Sequence, residues 1–473
     1  MLGNGTAAAF FSINLQTLQF GDYNTPDVSG AYITFSRFSY AFIACQLLCN
    51  RSANMLYFSL LFFLLLPSAF ALLAFPGAEG FGRNAIGGRK GSVYIVTNLA
   101  DSGAGSLRDA VSKPDRIIVF AIGGAIKIKD RLVVQKRITI LGQTAPGDGI
   151  TVYGNGWSFS NANDAIVRYI RIRMGKGGAS GKDAITIAEG GNMIFDHVSV
   201  TWGRDETFSI SGSTVGNITI QNSIIGQGLE THSCGGLIQT AVGNGISLFR
   251  NLYIDNKTRN PKVKGTNEFT NNVVYNWGGG GGYIAGDSEQ VSEANIVGNY
   301  FISGPSTSVA PFTRGNAKFH GFVDGNFFDG DKDGKLNGAV LGVASANYGN
   351  MALQVQKFSY PGPTRVLNAI DALAFVVLSA GASRVRDSVD TQLVAEVTSY
   401  GKKGALISDE ASMGGVGTIK GGTMAVDTDG DGIPDEAEKK LGFDVGKGDA
   451  MVLNSEGYAY VEVWANSLVD GGY

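Results

Sequence analysis

Phe195-Asp196-His197-Val198-Ser199-Val200-Thr201-Trp202 opens the stretch on which the reading of this chain turns. Arg204-Asp205-Glu206 follows, and Arg259-Asn260-Pro261-Lys262-Val263-Lys264-Gly265 closes it. Acidic residues occupy the first half and a basic cluster the second. Through the stretch and beyond it one short pattern recurs, a polar residue followed by mostly apolar or β-branched ones. His197-Val198-Ser199-Val200, Asn222-Ser223-Ile224-Ile225, Asn251-Leu252-Tyr253-Ile254, Asn272-Val273-Val274-Tyr275, Asn299-Tyr300-Phe301-Ile302 and Asn326-Phe327-Phe328 all carry it. Successive copies are 25, 29, 21, 27 and 27 residues apart. Periods of that size mark a solenoid. Units rich in Val, Ile, Tyr and Phe, with Gly and Asn between them, read as strands and turns. The pattern therefore predicts an all-β fold, one coil of a parallel β-helix per unit. At a fixed turn an Asn tolerates left-handed φ and can bond to the Asn of the next coil. Asn222, Asn251, Asn272, Asn299 and Asn326 are expected to form such a ladder, with Arg168 and His197 at the equivalent place in earlier coils.

Glycine is 68 of 473 residues, about twice ordinary usage but without a Gly-X-Y period, which suits a loop-rich solenoid. Charged residues make up 17% and the formal net charge is −3, so no domain-wide basic excess points to a nucleic-acid partner. Residues 1–54 lack periodicity and read as a non-native extension. Met55 to Leu66 is an almost unbroken apolar run, followed by Pro67 and by Ala69-Phe70-Ala71. That is the pattern of a secretory signal peptide over residues 55–71, which predicts a secreted, extracellular protein. Cleavage there leaves Cys234 as the lone cysteine, a packed small residue with no adjacent base to activate it. Asn217-Ile218-Thr219 and Asn256-Lys257-Thr258 are glycosylation sequons, the second close to the basic cluster. Nothing in the sequence indicates an oligomer.

The β-helix is expected over residues 72–342. Val93–Val96 reads as a strand and Ser106–Val111 as a short helix stopped by Pro114, placed to cover the first coil. Ile117–Phe120, Arg137–Leu141, Ile150–Tyr153 and Ile166–Met174 follow as strands. Arg171 and Arg173 alternate with Ile170, Ile172 and Met174, which leaves the arginines outward, on a solvated face or against an anionic ligand.

Asp183 precedes the strand expected at Ala184–Ala188, and Asp205-Glu206 precedes Thr207–Ile210. Residues one coil apart in a solenoid are neighbours at about 4.8 Å. Carboxylates so placed in a weakly charged region repel unless a hard cation neutralises them, and oxygen ligands favour Ca²⁺. Lys257, Arg259, Lys262 and Lys264, two coils on, can project on the same flank. A Ca²⁺ site beside a cationic strip suits a polyanion whose carboxylates bridge to the metal, a polyuronate above all.

The residues also carry a resemblance. Phe195-Asp196-His197-Val198-Ser199-Val200-Thr201-Trp202 resembles the Asp-His signature of the pectate lyases of polysaccharide lyase family 1. Arg259-x-Pro261-x-x-Lys264 resembles that family's Arg-x-Pro-x-x-Arg motif, with Lys at the last position. The resemblance covers about residues 74–342 and is greatest to secreted fungal pectate lyases. It implies a right-handed parallel β-helix, Ca²⁺ dependence and eliminative cleavage of polygalacturonate. It implies that Arg259 is the base that removes the C5 proton, that Lys262 and Lys264 bind substrate carboxylates, and that Asp183, Asp205 and Glu206 hold Ca²⁺. His197 is implied to be structural. The lysine expected between the acids and Arg259 is missing, and His232 stands in that segment as a substrate-binding candidate beside Lys257.

Past the coils, Asp329, Asp331 and Asp333 with Lys335 at the backbone-carbonyl position resemble an EF-hand loop, but its twelfth residue is Val340. Asp427, Asp429, Asp431, Asp435 and Glu438, with Ile433 at the seventh position and Gly432 at the sixth, match that loop far better and predict a small Ca²⁺ module over residues 427–473. Residues 343–407 read as a helical packing region. One helix spans Thr364–Ala380 and a second Ser383–Tyr400, the latter with Val385, Val389, Leu393 and Val397 on one face. Ser408–Val426 reads as a Gly-rich linker. Three other functions fit the same fold. A polygalacturonase would need paired aspartates to activate water, and no adjacent pair is present. A pectin lyase needs no metal, so the acids argue against it. A non-catalytic β-helix adhesin would leave the clustered acids and bases unexplained.

Overall fold

The computed structural model describes residues 71–469. The extension and, save for Ala71, the signal peptide lie outside the described residues, as do 470–473.

One coil shows the plan. Gly191–Asp196 belongs to a first, eleven-stranded sheet, Ser199–Thr201 to a third, and Phe208–Ser211 to a second, eight-stranded sheet; Gly216–Gln221 then returns to the first. Neighbouring coils pair in parallel, as Phe195 with Ile220 and Val200 with Ile225. The exceptions are two antiparallel pairings, Phe327–Asp329 with Ala339–Val340 and Ile122–Lys127 with Gly422–Thr423. The interior is built from stacked rows. Ile118, Ile140, Val167, Phe195, Ile220, Leu248, Phe269, Ile296 and Val323 face inward from the first sheet at one register position. Ile126, Val152, Ile172, Val200, Ile225, Tyr253, Val274, Phe301 and Phe328 do so from the third. A side chain at one position therefore packs on its counterpart a coil away, which is why each coil repeats the size and apolarity of the last.

The ladder is real but one member shorter than expected. Asn251 Nδ2 donates to Asn272 Oδ1 (3.1 Å), Asn272 to Asn299 (3.2 Å) and Asn299 to Asn326 (2.8 Å). Asn222 stands one residue earlier in the coil, beside His197, Arg250 and Asn271, and Ser223 occupies the ladder position. The left-handed residue at this corner is the one before the ladder Asn: His197 (φ 51°), Asn222 (52°), Arg250 (52°) and Asn271 (60°), with Gly298 and Gly325 in the last coils. The ladder asparagines are thus selected for the bonds their amides make across coils and not for their backbone. Arg168 lies two positions before the ladder and pairs with Asp196 (2.8 Å).

The stretch 166–174 is two strands, Ile166–Arg168 and Arg171–Arg173, on different sheets, broken at left-handed Tyr169. The N-terminal helix is Leu107–Val111, capped by Ser106. The C-terminal helices are shorter than the sequence pattern implied, Ala369–Ser379 and Ser388–Val397, because Asn368 and Asp387 cap them with side-chain bonds to Asp371 N and Asp390 N. Both lie on the outer face of the third sheet. Ala369, Leu373, Val376, Val389, Leu393 and Val397 pack there against Ile224, Leu252, Val273, Tyr275 and Tyr300. Val385 precedes the second helix and is exposed. The expected linker also packs, through the antiparallel pairing of Gly422–Thr423.

Candidate active site

The segments that enter the strands of the second sheet line up along one edge of the solenoid. Ile185 pairs with Phe208, Leu237 with Lys262, and single bridges join Glu206 to Cys234 and Cys234 to Thr258. Asp183, Asp205-Glu206, Cys234 and Arg259 therefore occupy neighbouring coils at the ends of the same strands. Strand register, which the interior rows fix, is what brings together residues 76 positions apart in sequence.

The acids and the arginine meet. An ion pair joins Arg259 Nη1 to Glu206 Oε1, and Glu206 is almost fully buried. Asp183 Oδ2 accepts from Thr186 Oγ1 (2.6 Å) and Oδ1 from the Glu206 amide (3.3 Å). Burial, and then the charge of Asp205, push the Asp183 carboxyl above its ordinary range. His232 Nδ1 lies 3.2 Å from Asp205 Oδ1, with most of its ring in solvent. Carboxylate oxygens of Asp205 and Glu206 lie within 4.8 Å of each other and of Cys234 Sγ. The thiol is buried, and burial with the Asp205 and Asp183 charges pushes it up to about 12, which keeps it from acting as a nucleophile. The Asp205 and Glu206 donors are oxygens on crowded carboxylates, which suits a hard cation.

Beside the acids is an open groove of about 220 Å³, lined by Lys257, Thr258, Arg259, Lys262, Gly280, Ile284 and Arg314. Lys257 pairs with Glu230 (3.0 Å) and Lys262 with Asp287 (3.2 Å). Lys264 stands outside that lining, two residues along the strand from Lys262. Burial, then the Lys262 charge, lower its pKa. Arg314 was not legible in the sequence: Phe312-Thr313-Arg314-Gly315 carries no motif, and only the pairing of Thr313 with Ile284 places it here, bonded to Asp287 at 3.3 Å. Arg131 was missed likewise. It donates to Thr186 and to the Trp157 carbonyl behind Asp183.

Several expected site residues lie elsewhere. Arg171 and Arg173 meet neither solvent nor a free anion. Both are buried under the second C-terminal helix, where Arg173 pairs with Asp387 (2.7 Å) and Asp390 (3.0 Å) and Arg171 stands 3.6 Å from Asp387. Asn217 is exposed, but Asn256 is fully buried with its amide bonded to Ile225 O, Asn260 and Gly228 N, which leaves no room for a glycan. His197 is buried, stacked on Tyr169 at 4.5 Å and 2.9 Å from Asp196. Burial alone would raise Asp196, but His197 and Arg168 pull it well below the carboxylate range.

The loop at Asp329, Asp331, Asp333 and Lys335 joins two strands, not two helices. Asn337 Nδ2 donates to Asp331 (3.0 Å) and Asp333 (3.3 Å), and the three aspartates do not gather into one cluster. The loop at 427–438 leads into a helix at Asp435–Leu441 and has none before it, so it is half of an EF-hand at most. Its acids do gather: Asp427, Asp429 and Asp431 form one group, and Asp431 forms a second with Glu438 and Asp449. Asp435 turns away to bond Thr428 N (2.7 Å) and Oγ1 (2.8 Å).

Known proteins are similar to this chain in sequence. The chain is 74% identical over 403 residues to "Probable pectate lyase C" of Neosartorya fischeri, covering 85% of this chain and 95% of that one. It is 73% identical over 403 residues to the protein of the same name in Aspergillus fumigatus, with the same coverage. Among solved structures, "Pectate lyase bound to hexasaccharide" is 15% identical, spans 68% of this chain and all of its own, and has a TM-score of 0.47. No family model matches the chain.

Proposed function

Since the chain belongs to the pectate lyases, we propose that it cleaves (1→4)-α-D-galacturonan of pectin by β-elimination, as a secreted monomer acting on the plant cell wall. The observation that carries the reading is the meeting of Arg259 and Glu206 where the acidic pair adjoins the cationic groove. Arg259 is proposed as the base that takes the C5 proton. The C5–H electron pair forms the C4=C5 double bond, the C4–O bond breaks, and the leaving oxygen, which stays on C1 of the neighbouring sugar, is protonated, so one fragment carries a 4,5-unsaturated nonreducing end and the other a new reducing end. Lys257, Lys262, Lys264 and His232, with Arg314, are proposed to hold the uronate carboxylates of successive sugars.

Asp183, Asp205 and Glu206 would hold Ca²⁺: Asp205 and Glu206 lie within 4.8 Å of each other, and Asp183, outside that group, accepts from the Glu206 amide beside it. When bound, the ion supplies positive charge that acidifies the C5 proton and stabilises the developing enolate. Glu206 has a second consequence: committed to the acidic cluster, it leaves Arg259 to the groove that it lines with Lys257, Lys262 and Arg314.

The test is incubation with polygalacturonate, following ultraviolet absorbance of the unsaturated product with Ca²⁺ and with chelator, alongside Arg259→Ala. A Ca²⁺-dependent signal lost in the variant supports the assignment. Reducing ends without ultraviolet signal would mean a hydrolase.

A further inference from the structure

A second acidic site lies far from the groove in sequence, in the C-terminal segment. Asp427, Asp429 and Asp431 lie within 4.8 Å of one another, as do Asp431, Glu438 and Asp449. Acidic clusters on a surface are commonplace. Here, however, Glu438 has 0% of its surface exposed, and neither of its carboxylate oxygens has a hydrogen-bond partner. Asp449 Oδ1 and Asp429 Oδ2 are also buried and unpartnered. The strongest charges acting on Glu438 are the carboxylates of Asp429, Asp431, Asp449 and Asp427. A buried carboxylate facing only carboxylates is costly unless it is neutralised, and an all-oxygen cluster of this kind suits a hard cation.

The backbone is arranged for the same end. Asp427 accepts from Gly430 N (2.9 Å) and Gly432 N (3.0 Å), and Asp431 Oδ1 from Ile433 N (3.0 Å). Asp431 Oδ2 accepts from Asp449 N (2.9 Å) and Ala450 N (2.7 Å), which draws a separate loop against the first. Asp435 has both oxygens on Thr428 and takes no part. A Cβ on Gly432 would meet Val93 and Val119 at 3.0 and 3.1 Å, so the loop sits directly on the opening strands of the first sheet. Ile433, Ala450 and Trp464 pack there with Ile117, Val119 and Leu141.

We propose that Asp427, Asp429, Asp431, Glu438 and Asp449 hold a Ca²⁺ ion that clamps the C-terminal segment onto the first strands of the solenoid, with Asp449 in the place the loop motif gives to Asp435. An all-oxygen donor set selects Ca²⁺ over the softer transition metals. The site stands apart from the catalytic reading and does not rest on it.

The test uses the full chain stripped of metal. Wild type, Asp449→Asn, Asp435→Asn and Asp205→Asn are melted in chelator and in Ca²⁺, and Ca²⁺ is titrated into each by calorimetry. Ca²⁺ should raise the melting temperature of wild type, Asp435→Asn and Asp205→Asn. In Asp449→Asn the rise should vanish, with at least tenfold weaker Ca²⁺ binding at that site. In chelator, Asp449→Asn should melt no lower than wild type, since it removes a like charge and no hydrogen bond. Should it melt lower, Glu438→Gln takes its place, with the same loss of the Ca²⁺ response expected. A full Ca²⁺ response in whichever variant serves, its equal loss in Asp435→Asn, or its loss in Asp205→Asn alone would each overturn the proposal.

Discussion

Asp387→Asn is the sharpest probe of how the C-terminal helices are held. Asp387 accepts two bonds from Arg173 Nη2, at 2.8 and 2.7 Å, and Asp390 a third at 3.0 Å. All three side chains are at most 1% exposed, and the equally buried Arg171 stands alongside. The substitution keeps the shape and leaves two buried guanidinium groups facing one carboxylate. Removing one partner of a buried ion pair costs about 3–5 kcal/mol. Asn still caps the helix, whereas Asp387→Ala also loses the bond to Asp390 N and should cost about 1 kcal/mol more. The helix lies on the outside of the coils, so it should open locally, and hydrogen exchange of the 388–397 amides is the assay. At 1.36 kcal/mol per decade, exchange should quicken by about 10² to 10⁴-fold in Asp387→Asn, and about fivefold further in Asp387→Ala. Exchange in Asp387→Asn within tenfold of wild type would refute the reasoning, for the charges would then not hold the helix.

Asn272→Ala removes an amide that accepts from Asn251 N and Nδ2 and donates to Leu248 O and Asn299. With several buried groups left unpaired it should cost about 3–5 kcal/mol in urea unfolding, while Asn217→Ala, on the surface, should cost under about 0.5 kcal/mol. Asp255 is buried against Glu396, and burial with that contact raises its pKa well above the ordinary 3.8. Its stabilising contribution is therefore full below the ordinary value and lost as pH rises through the raised one. Melting from pH 5 to 9 should show Asp255→Asn gaining on wild type, and a constant difference would exclude the effect. Asp196, held below its ordinary range, has the opposite sign: its contribution is present above about pH 4 and lost as pH falls, so Asp196→Asn should flatten the acid limb of the melting curve. Arg259→Ala should lower kcat by about 10² to 10⁴-fold as expected for loss of a general base, and Arg314→Ala should act chiefly on KM, both read by steady-state kinetics.

The solenoid was legible because its period is written once per coil in residues that point inward. Phe195, Ile220 and Leu248 repeat at one register position whatever lies in the loops between them. The acids and Arg259 were legible for a related reason, since each immediately precedes a strand and register carries it to its neighbours. Residues whose partners lie in another layer were not legible. Arg171 and Arg173 read as outward, which is correct for the strand, but Asp387 comes 214 residues after Arg173 and covers them. Asn256 satisfies a sequon and is nevertheless walled in by Ile225 and Asn260, which only the stacking of coils reveals. Asn222 failed as a ladder member because the repeat of 29 residues to Asn251 hid a shift of one position. Asp449 belongs to no twelve-residue template and joins the C-terminal acids through the hydrogen bonds that its own amide and that of Ala450 give to Asp431.

The return of the C-terminal segment to the opening strands has a consequence for the order in which the protein can be made. Arg89 is bound by Glu462, 373 residues later, and Ile117 and Val119 are covered by Ile433 and Trp464. On a ribosome the coils can stack one upon the next as they emerge, each templated by the last. The outer face of the first strands must wait until almost the whole polypeptide has been synthesised. During that interval the oldest part of the molecule is its least finished, and it carries a row of apolar side chains open to any neighbour. A nascent chain truncated before residue 433 would keep its groove and its ladder and still be the form most prone to aggregate.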